Sequence, residues 1–207
     1  MKHNLDIETW NRKEHFNFFK QFDEPYYGVT VNLDCTRAYL RSKELGVSFY
    51  NYYFHKTLTA INQLENFRYR IENNQVVAYD QINASATILR EDHTFGFSSV
   101  KYSINFEEFN QDLLQEIARV KQTTGLFTAD LMNNIIHFSA LPWVNFTSLS
   151  HAFSLKSEDS CPKISIGKLV QENGRRHMPF SLHVHHALVD GYHVGLFFEK
   201  LQLLLNE

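Results

Sequence analysis

Hydrophobic positions along the chain switch between a spacing of two and a spacing of three to four, which predicts a mixture of strands and helices. Over residues 27–35, Tyr27, Val29, Val31 and Leu33 alternate with Gly28, Thr30, Asn32 and Asp34, the pattern of a strand with one apolar face. Phe16, Phe19 and Phe22 mark a short helix over 10–22. Asp34 or Thr36 is placed to cap a helix that runs to Leu45 and stops at Gly46. Residues 49–64 read as a second helix, rich in aromatic residues. Apolar runs at 67–71 and 76–79 flank Asn73-Asn74, a hairpin signal. Further strands are predicted over 84–89 and 95–102. Phe106, Phe109, Leu113, Leu114, Ile117 and Val120 give an amphipathic helix over 106–120. The rest reads as a strand over 135–139, two runs (164–170 and 180–186) around Asn173-Gly174, and a closing helix over 191–205.

Strands and helices mix without strict alternation, which predicts an α+β fold with a mixed sheet rather than a doubly wound nucleotide fold. No Gly-rich loop follows a strand, so no phosphate loop is expected. Without a linker, charge block or internal repeat, residues 1–207 read as one domain. Net charge is −3 with no basic block, so nucleic acid is not expected as a partner. The start, MKHNLDIETW, has no apolar run, and no stretch approaches the roughly 20 apolar residues of a membrane span. Neither a signal peptide nor a membrane segment is expected, and the expected compartment is the cytoplasm. Cys35 and Cys161 read as reduced structural thiols. The unusual figure is 18 Phe beside 10 Tyr. That is more rings than a core of this size needs, and the surplus points to a pocket or a subunit interface.

Candidate chemistry concentrates in Leu182-His183-Val184-His185-His186-Ala187-Leu188-Val189-Asp190-Gly191-Tyr192-His193. A strand runs here into a turn and then a helix, a place where a side chain is presented rigidly to a ligand. The residues alone leave several readings open. The histidines can satisfy local hydrogen bonds on a strand face. His183, His185 and His193 can bind a metal, although no Cys or carboxylate completes a usual zinc set. One histidine can act as a general base with an oxyanion donor elsewhere.

His186-Ala187-Leu188-Val189-Asp190-Gly191 carries the His-x-x-x-Asp-Gly spacing, and with His185, His193 and Val194 it resembles the chloramphenicol acetyltransferase family. The short motif also occurs in dihydrolipoyl and condensation-type acyltransferases of the same broad fold. Trp10-Asn11-Arg12-Lys13-Glu14-His15-Phe16 resembles the family's N-terminal signature, and Phe67-Arg68 and Thr94-Phe95 resemble two shorter segments. Ser139-Ala140-Leu141-Pro142-Trp143-Val144 matches its Ser-Ala-x-Pro-Trp-Val segment. The likeness runs from Trp10 to Leu205.

The resemblance implies a two-layer α/β sandwich, a mixed sheet covered by helices, with the coenzyme A-dependent acyltransferase fold. It implies acetyl-coenzyme A as co-substrate, no tightly bound cofactor, no metal, and chloramphenicol or a similar small hydroxyl acceptor, conferring antibiotic resistance. The family is a homotrimer with its sites between subunits. By resemblance His186 is the general base, Ser139 the oxyanion donor, and Ser165 a second hydroxyl acting through water. Asp190 pairs with Arg12 and shapes the loop. Phe18, Phe19, Phe95, Phe127, Leu149, His151 and Phe153 are acceptor-pocket residues by position, and Lys168 lies near the coenzyme. His185 is expected as a packed strand residue. His15 and His193 match family positions without an assigned role.

Some positions depart from the family pattern. Ser48-Phe49-Tyr50-Asn51 loses a Lys and a Pro. His151 and Phe153 interrupt an apolar alternation, and His137 replaces an Asn or an apolar residue. These touch the acceptor rather than acyl transfer. They leave open a relative acting on another alcohol or amine, or a silent member that only binds ligand.

Overall fold

The computed structural model describes residues 1–129, 132–152 and 159–207. The N-terminal part builds β1 (Lys2–Asn4), α1 (Lys13–Phe19), β2 (Tyr26–Asp34), α2 (Thr36–Glu44) and α3 (Phe49–Gln63). A 3₁₀ turn at Glu65–Arg68 leads into the hairpin of β3 (Tyr69–Glu72) and β4 (Gln75–Tyr79). Then come β5 (Asn83–Leu89), β6 (Phe95–Phe97) and α4 (Phe106–Gln122). The C-terminal part holds β7 (Ile135–Ala140), β8 (Lys163–Ile166), β9 (Val170–Glu172), β10 (Arg175–His185) and α5 (Gly191–Leu205).

The main sheet runs β2-β10-β8-β7-β5-β6, with β9 paired to the start of β10. β5, β7 and β8 are parallel, while β10 is antiparallel to both β8 and β2. The expected α+β mixed sheet is therefore what forms. A smaller sheet, β1-β4-β3, lies apart. One face of the main sheet is apolar: Ile136, Phe138, Ile164, Phe180, Leu182 and Val184 are buried. Helices cover it. Phe54 of α3 stacks on Phe138 at 4.0 Å, and Phe197 of α5 meets Phe180 at 5.8 Å. Each such ring contributes roughly 1.5–3 kcal/mol by leaving water. Strand alternation sends the polar residues to the other face. That face carries Ser85 and Thr87, His137 and Ser139, Lys163 and Ser165, and Ser181, His183 and His185.

Both predicted hairpins close where the sequence places their turns. Asn73 and Asn74 have φ of 50° and 60°, and Asn173 and Gly174 have 49° and 77°, the left-handed values a tight hairpin requires. Four expectations need correction. The strand predicted over 95–102 is interrupted after Phe97, where the Ser98 hydroxyl accepts from Ala86 N at 3.1 Å, and pairing returns at the Ala84–Val100 bridge. The run 164–170 breaks at Gly167, whose N–H bonds Pro179 O at 2.9 Å, and Lys168 turns away to Val144 O. The strand predicted from 180 begins at Arg175, since β9 pairs with Arg175–His177. The helix predicted from 10 begins at Lys13 with no side-chain cap. β1 was not expected. Its residues are polar and exposed, held by Lys2–Glu72 and Asn4–Gln75 pairs.

Candidate active site

The motif loop is fixed by backbone bonds first. β10 ends at His185, and His186 N donates to Pro25 O at 2.9 Å. Leu188 N and Val189 N both return to His185 O, closing a tight turn. Asp190 then caps α5: its carboxylate accepts from Tyr192 N at 3.2 Å, and its own N–H donates to His193 Nδ1 at 3.2 Å. Arg12 is only 7% exposed. Its guanidinium is ion-paired with Asp190 and lies 3.5 Å from His186 O. Burial raises the Asp190 carboxyl, but the Arg12 hydrogen bond and charge, with His193, outweigh it and hold it below the usual range.

The His186 ring is held by packing. It stacks on Phe19 at 3.8 Å with the planes 4° apart, and Tyr27 lies against it at 4.6 Å. Nδ1 is enclosed and has no hydrogen-bond partner among the described residues, which leaves Nε2 as the nitrogen open to a substrate. Asp190 is bonded elsewhere and does not act on this ring. The Tyr27 hydroxyl is also enclosed without a partner among the described residues, and burial pushes it up to about 12. Phe18 lies at this end too, 58% exposed and 5.0 Å from Phe19.

Ser139 stands elsewhere, on the polar face. Its Oγ is 3.2 Å from Thr87 Oγ1, and Ser165 Oγ is 3.4 Å from His151 Nε2. A cavity of about 510 Å³ opens beside them, lined by Thr87, Phe95, Leu149, His151 and both serines. Phe127, 72% exposed, packs on Phe97 at this end. The Lys168 side chain is exposed. Phe153 lies outside the described residues. Ser139, Ser165 and Ser181 share one level of the sheet, whereas His186 is five residues past Ser181. By strand spacing, about 3.3 Å per residue and 4.8 Å per strand, five residues and two strands put His186 and Ser139 of one chain on the order of 15–20 Å apart. The structure thus divides the expected site in two: Arg12, Phe18, Phe19, His186 and Asp190 at one end, and Phe95, Phe127, Ser139, Leu149, His151 and Ser165 at the other.

Some residues at the two ends were not singled out in the sequence. Tyr27 is visible only once β2 is paired with β10. Asp159 is ion-paired with Lys163 and lies 3.7 Å from His137 Nε2. Lys163 was readable, being two residues before Ser165 and so on the same face. His137, Asp159 and Cys161 bring donor atoms within 4.8 Å of one another. Lys163 already neutralises Asp159, and burial pushes the Cys161 thiol up, both unfavourable to a cation.

Burial lowers His137, His151 and His185 to about 4. Lowered histidines are neutral when folded and take up protons on unfolding. The stability they contribute is complete above about pH 6.5 and is lost as pH falls toward their folded values. Denaturant midpoints are expected to decline steadily between about pH 7 and pH 5, and His185→Gln to flatten that slope. A flat midpoint in native protein across this window would sink the expectation.

The family model described as chloramphenicol acetyltransferase matches residues 1–202. Chloramphenicol acetyltransferase 3 of Escherichia coli is 31% identical over 204 residues, covering 98% of this chain and 96% of that protein. A chloramphenicol acetyltransferase of Proteus mirabilis is 30% identical over 205 residues, covering 98% and 94%. A solved chloramphenicol acetyltransferase structure superposes with a TM-score of 0.92 at 33% identity, covering 99% of this chain and 100% of that one. A probable dihydrolipoamide acetyltransferase of Listeria monocytogenes, 14% identical with a TM-score of 0.68, covers 93% of this chain and 88% of that one and shares the fold.

Proposed function

The chain belongs to the chloramphenicol acetyltransferase family, and from that premise we propose that it moves an acetyl group from acetyl-coenzyme A to the hydroxyl of a small acceptor, chloramphenicol in the first instance. His186 Nε2 takes the hydroxyl proton as the oxygen attacks the thioester carbonyl carbon. The tetrahedral oxyanion accepts a hydrogen bond from Ser139, which Thr87 orients, and Ser165 supports it through water. Collapse breaks the carbon–sulfur bond, and the leaving sulfur takes the proton back from His186 Nε2, which regenerates the base. The products are the O-acetyl acceptor and free coenzyme A. Acetyl-coenzyme A enters and leaves as a co-substrate. A resistance role follows from acetylating the antibiotic in the cytoplasm, where acetyl-coenzyme A is made.

The observation that carries this reading is the separation of the two ends. A base and an oxyanion donor on the order of 15–20 Å apart in one chain cannot serve one carbonyl. A cyclic trimer resolves this, since a head-to-tail interface sets the His186 end of one subunit against the Ser139 end of the next. The exposed rings Phe18, Phe95 and Phe127 then line the joint as acceptor walls. Arg12 and Asp190 serve by holding the loop.

Free thiol release from acetyl-coenzyme A and chloramphenicol tests the activity directly. A mixing experiment tests the site. Inactive His186→Ala and inactive Ser139→Ala chains, unfolded together and refolded, are expected to regain roughly a quarter of the native rate, the share of joints that pair an intact His186 with an intact Ser139. Recovery no better than either variant alone would put both groups in one subunit's site or outside the chemistry.

A further inference from the structure

The polar sheet face holds a second row for which acyl transfer has no use. Ser85, His137, Lys163 and His183 pair across β5, β7, β8 and β10 at one level. Thr87, Ser139, Ser165 and Ser181 lie two residues away along their strands, a spacing of about 7 Å on a strand. Ser85, His137, Asp159 and Lys163 line the same cavity as Ser139. Ser85 is 2% exposed, and its hydroxyl has no hydrogen-bond partner among the described residues. A buried hydroxyl beside a cavity is satisfied when a ligand bonds to it.

Charge in this row is balanced. The Lys163 ammonium is matched by the Asp159 carboxylate, and burial keeps His137 neutral. A ligand carboxylate here would meet Asp159, and a ligand ammonium would meet Lys163. An aryl group would cover the Ser85 hydroxyl and leave it unbonded. A neutral group that both donates and accepts meets none of these costs.

Resting on the acyl-transfer reading, we infer that the preferred acceptor carries a second neutral hydroxyl about 7 Å from the one acetylated, bound by Ser85 and His137. This names a substrate class, rigid small diols, set by residues of this chain's own sheet face.

The test compares 1,4-benzenedimethanol, whose oxygens are about 7 Å apart, with 4-methylbenzyl alcohol, which has the same reacting group and lacks the second. Native protein is expected to prefer the diol by about tenfold or more in kcat/KM. Ser85→Ala and His137→Phe are expected to bring that ratio toward one, mainly through KM, and Ser85→Thr to keep it. Equal use of the two alcohols by native protein overturns the inference, as does a ratio unchanged in Ser85→Ala. If chloramphenicol and both alcohols all fail to release thiol, the acyl-transfer reading itself is overturned. Saturation-transfer NMR of the two alcohols on His186→Ala decides the subsite separately: selective binding of the diol supports it, and equal or no binding ends it.

Discussion

Replacing His186 with Ala is expected to lower kcat by roughly 10²–10⁴-fold, the usual contribution of a positioned general base. KM for acetyl-coenzyme A should barely move, because the ring is proposed to act on the acceptor proton. The protein should stay folded. His186 is partly exposed, and its backbone bond to Pro25 does not need the side chain. His185→Ala is the control that separates chemistry from structure. His185 is buried, and its Nδ1 accepts from Ala187 N at 3.3 Å, so its loss should lower the melting temperature more than the rate. Stopped thiol-release assays and melting curves on both variants read this out. A His186→Ala protein with near-native kcat would remove the base assignment.

Arg12→Ala is expected to cost about 1.5–3 kcal/mol of stability, because the partly exposed Asp190 carboxylate keeps Tyr192 N and His193 but loses its guanidinium. The loss should resemble a catalytic defect. Arg12 touches both the carboxylate that caps α5 and the carbonyl of His186, so without it the base loop loosens. Asp190→Asn added to Arg12→Ala should restore part of the stability, since Asn still caps a helix and carries no charge to strand. Chemical denaturation of the two single variants and the double gives the coupling. An Arg12→Ala protein with native stability and no activity would make Arg12 a participant in the reaction.

Much of the fold was legible for local reasons. Asn73-Asn74 and Asn173-Gly174 tolerate positive φ, so the hairpins could be read from the residue types. The cap expected of Asp34 or Thr36 is not the one found: the N-cap of α2 is Cys35, with no side-chain cap bond, whereas Asn105 and Asp190 cap α4 and α5. What failed was set by partners distant in sequence. β1 has no apolar alternation and exists because β4 offers an edge. β6 ends where the Ser98 hydroxyl accepts from Ala86 N, and no pattern of hydrophobicity reports that.

The site divided in the same way. His186, Ser139, Arg12 and Asp190 stood in recognisable strings. That His186 and Ser139 occupy opposite ends of one sheet was not readable, because it depends on β10 running antiparallel to β8. Nor was the separation of Phe18 and Phe19 from Phe95 and Phe127, since the sequence does not say which end of the sheet α1 reaches. The second polar row was half legible. His137 and Lys163 sit two residues before Ser139 and Ser165, but only parallel pairing aligns them.

The Arg12–Asp190 pair joins positions 178 residues apart. During synthesis, Arg12 leaves the ribosome long before its carboxylate exists, and at about 5–20 residues per second the wait is on the order of ten seconds or more. Through that interval α1 lacks its ion-paired anchor at the far end of the chain, and the Phe19 ring lacks the His186 ring on which it stacks. A nascent or truncated chain therefore holds the N-terminal signature without a base loop to grip. The loop that Arg12 grips is expected to set only after residues up to Asp190 have been made.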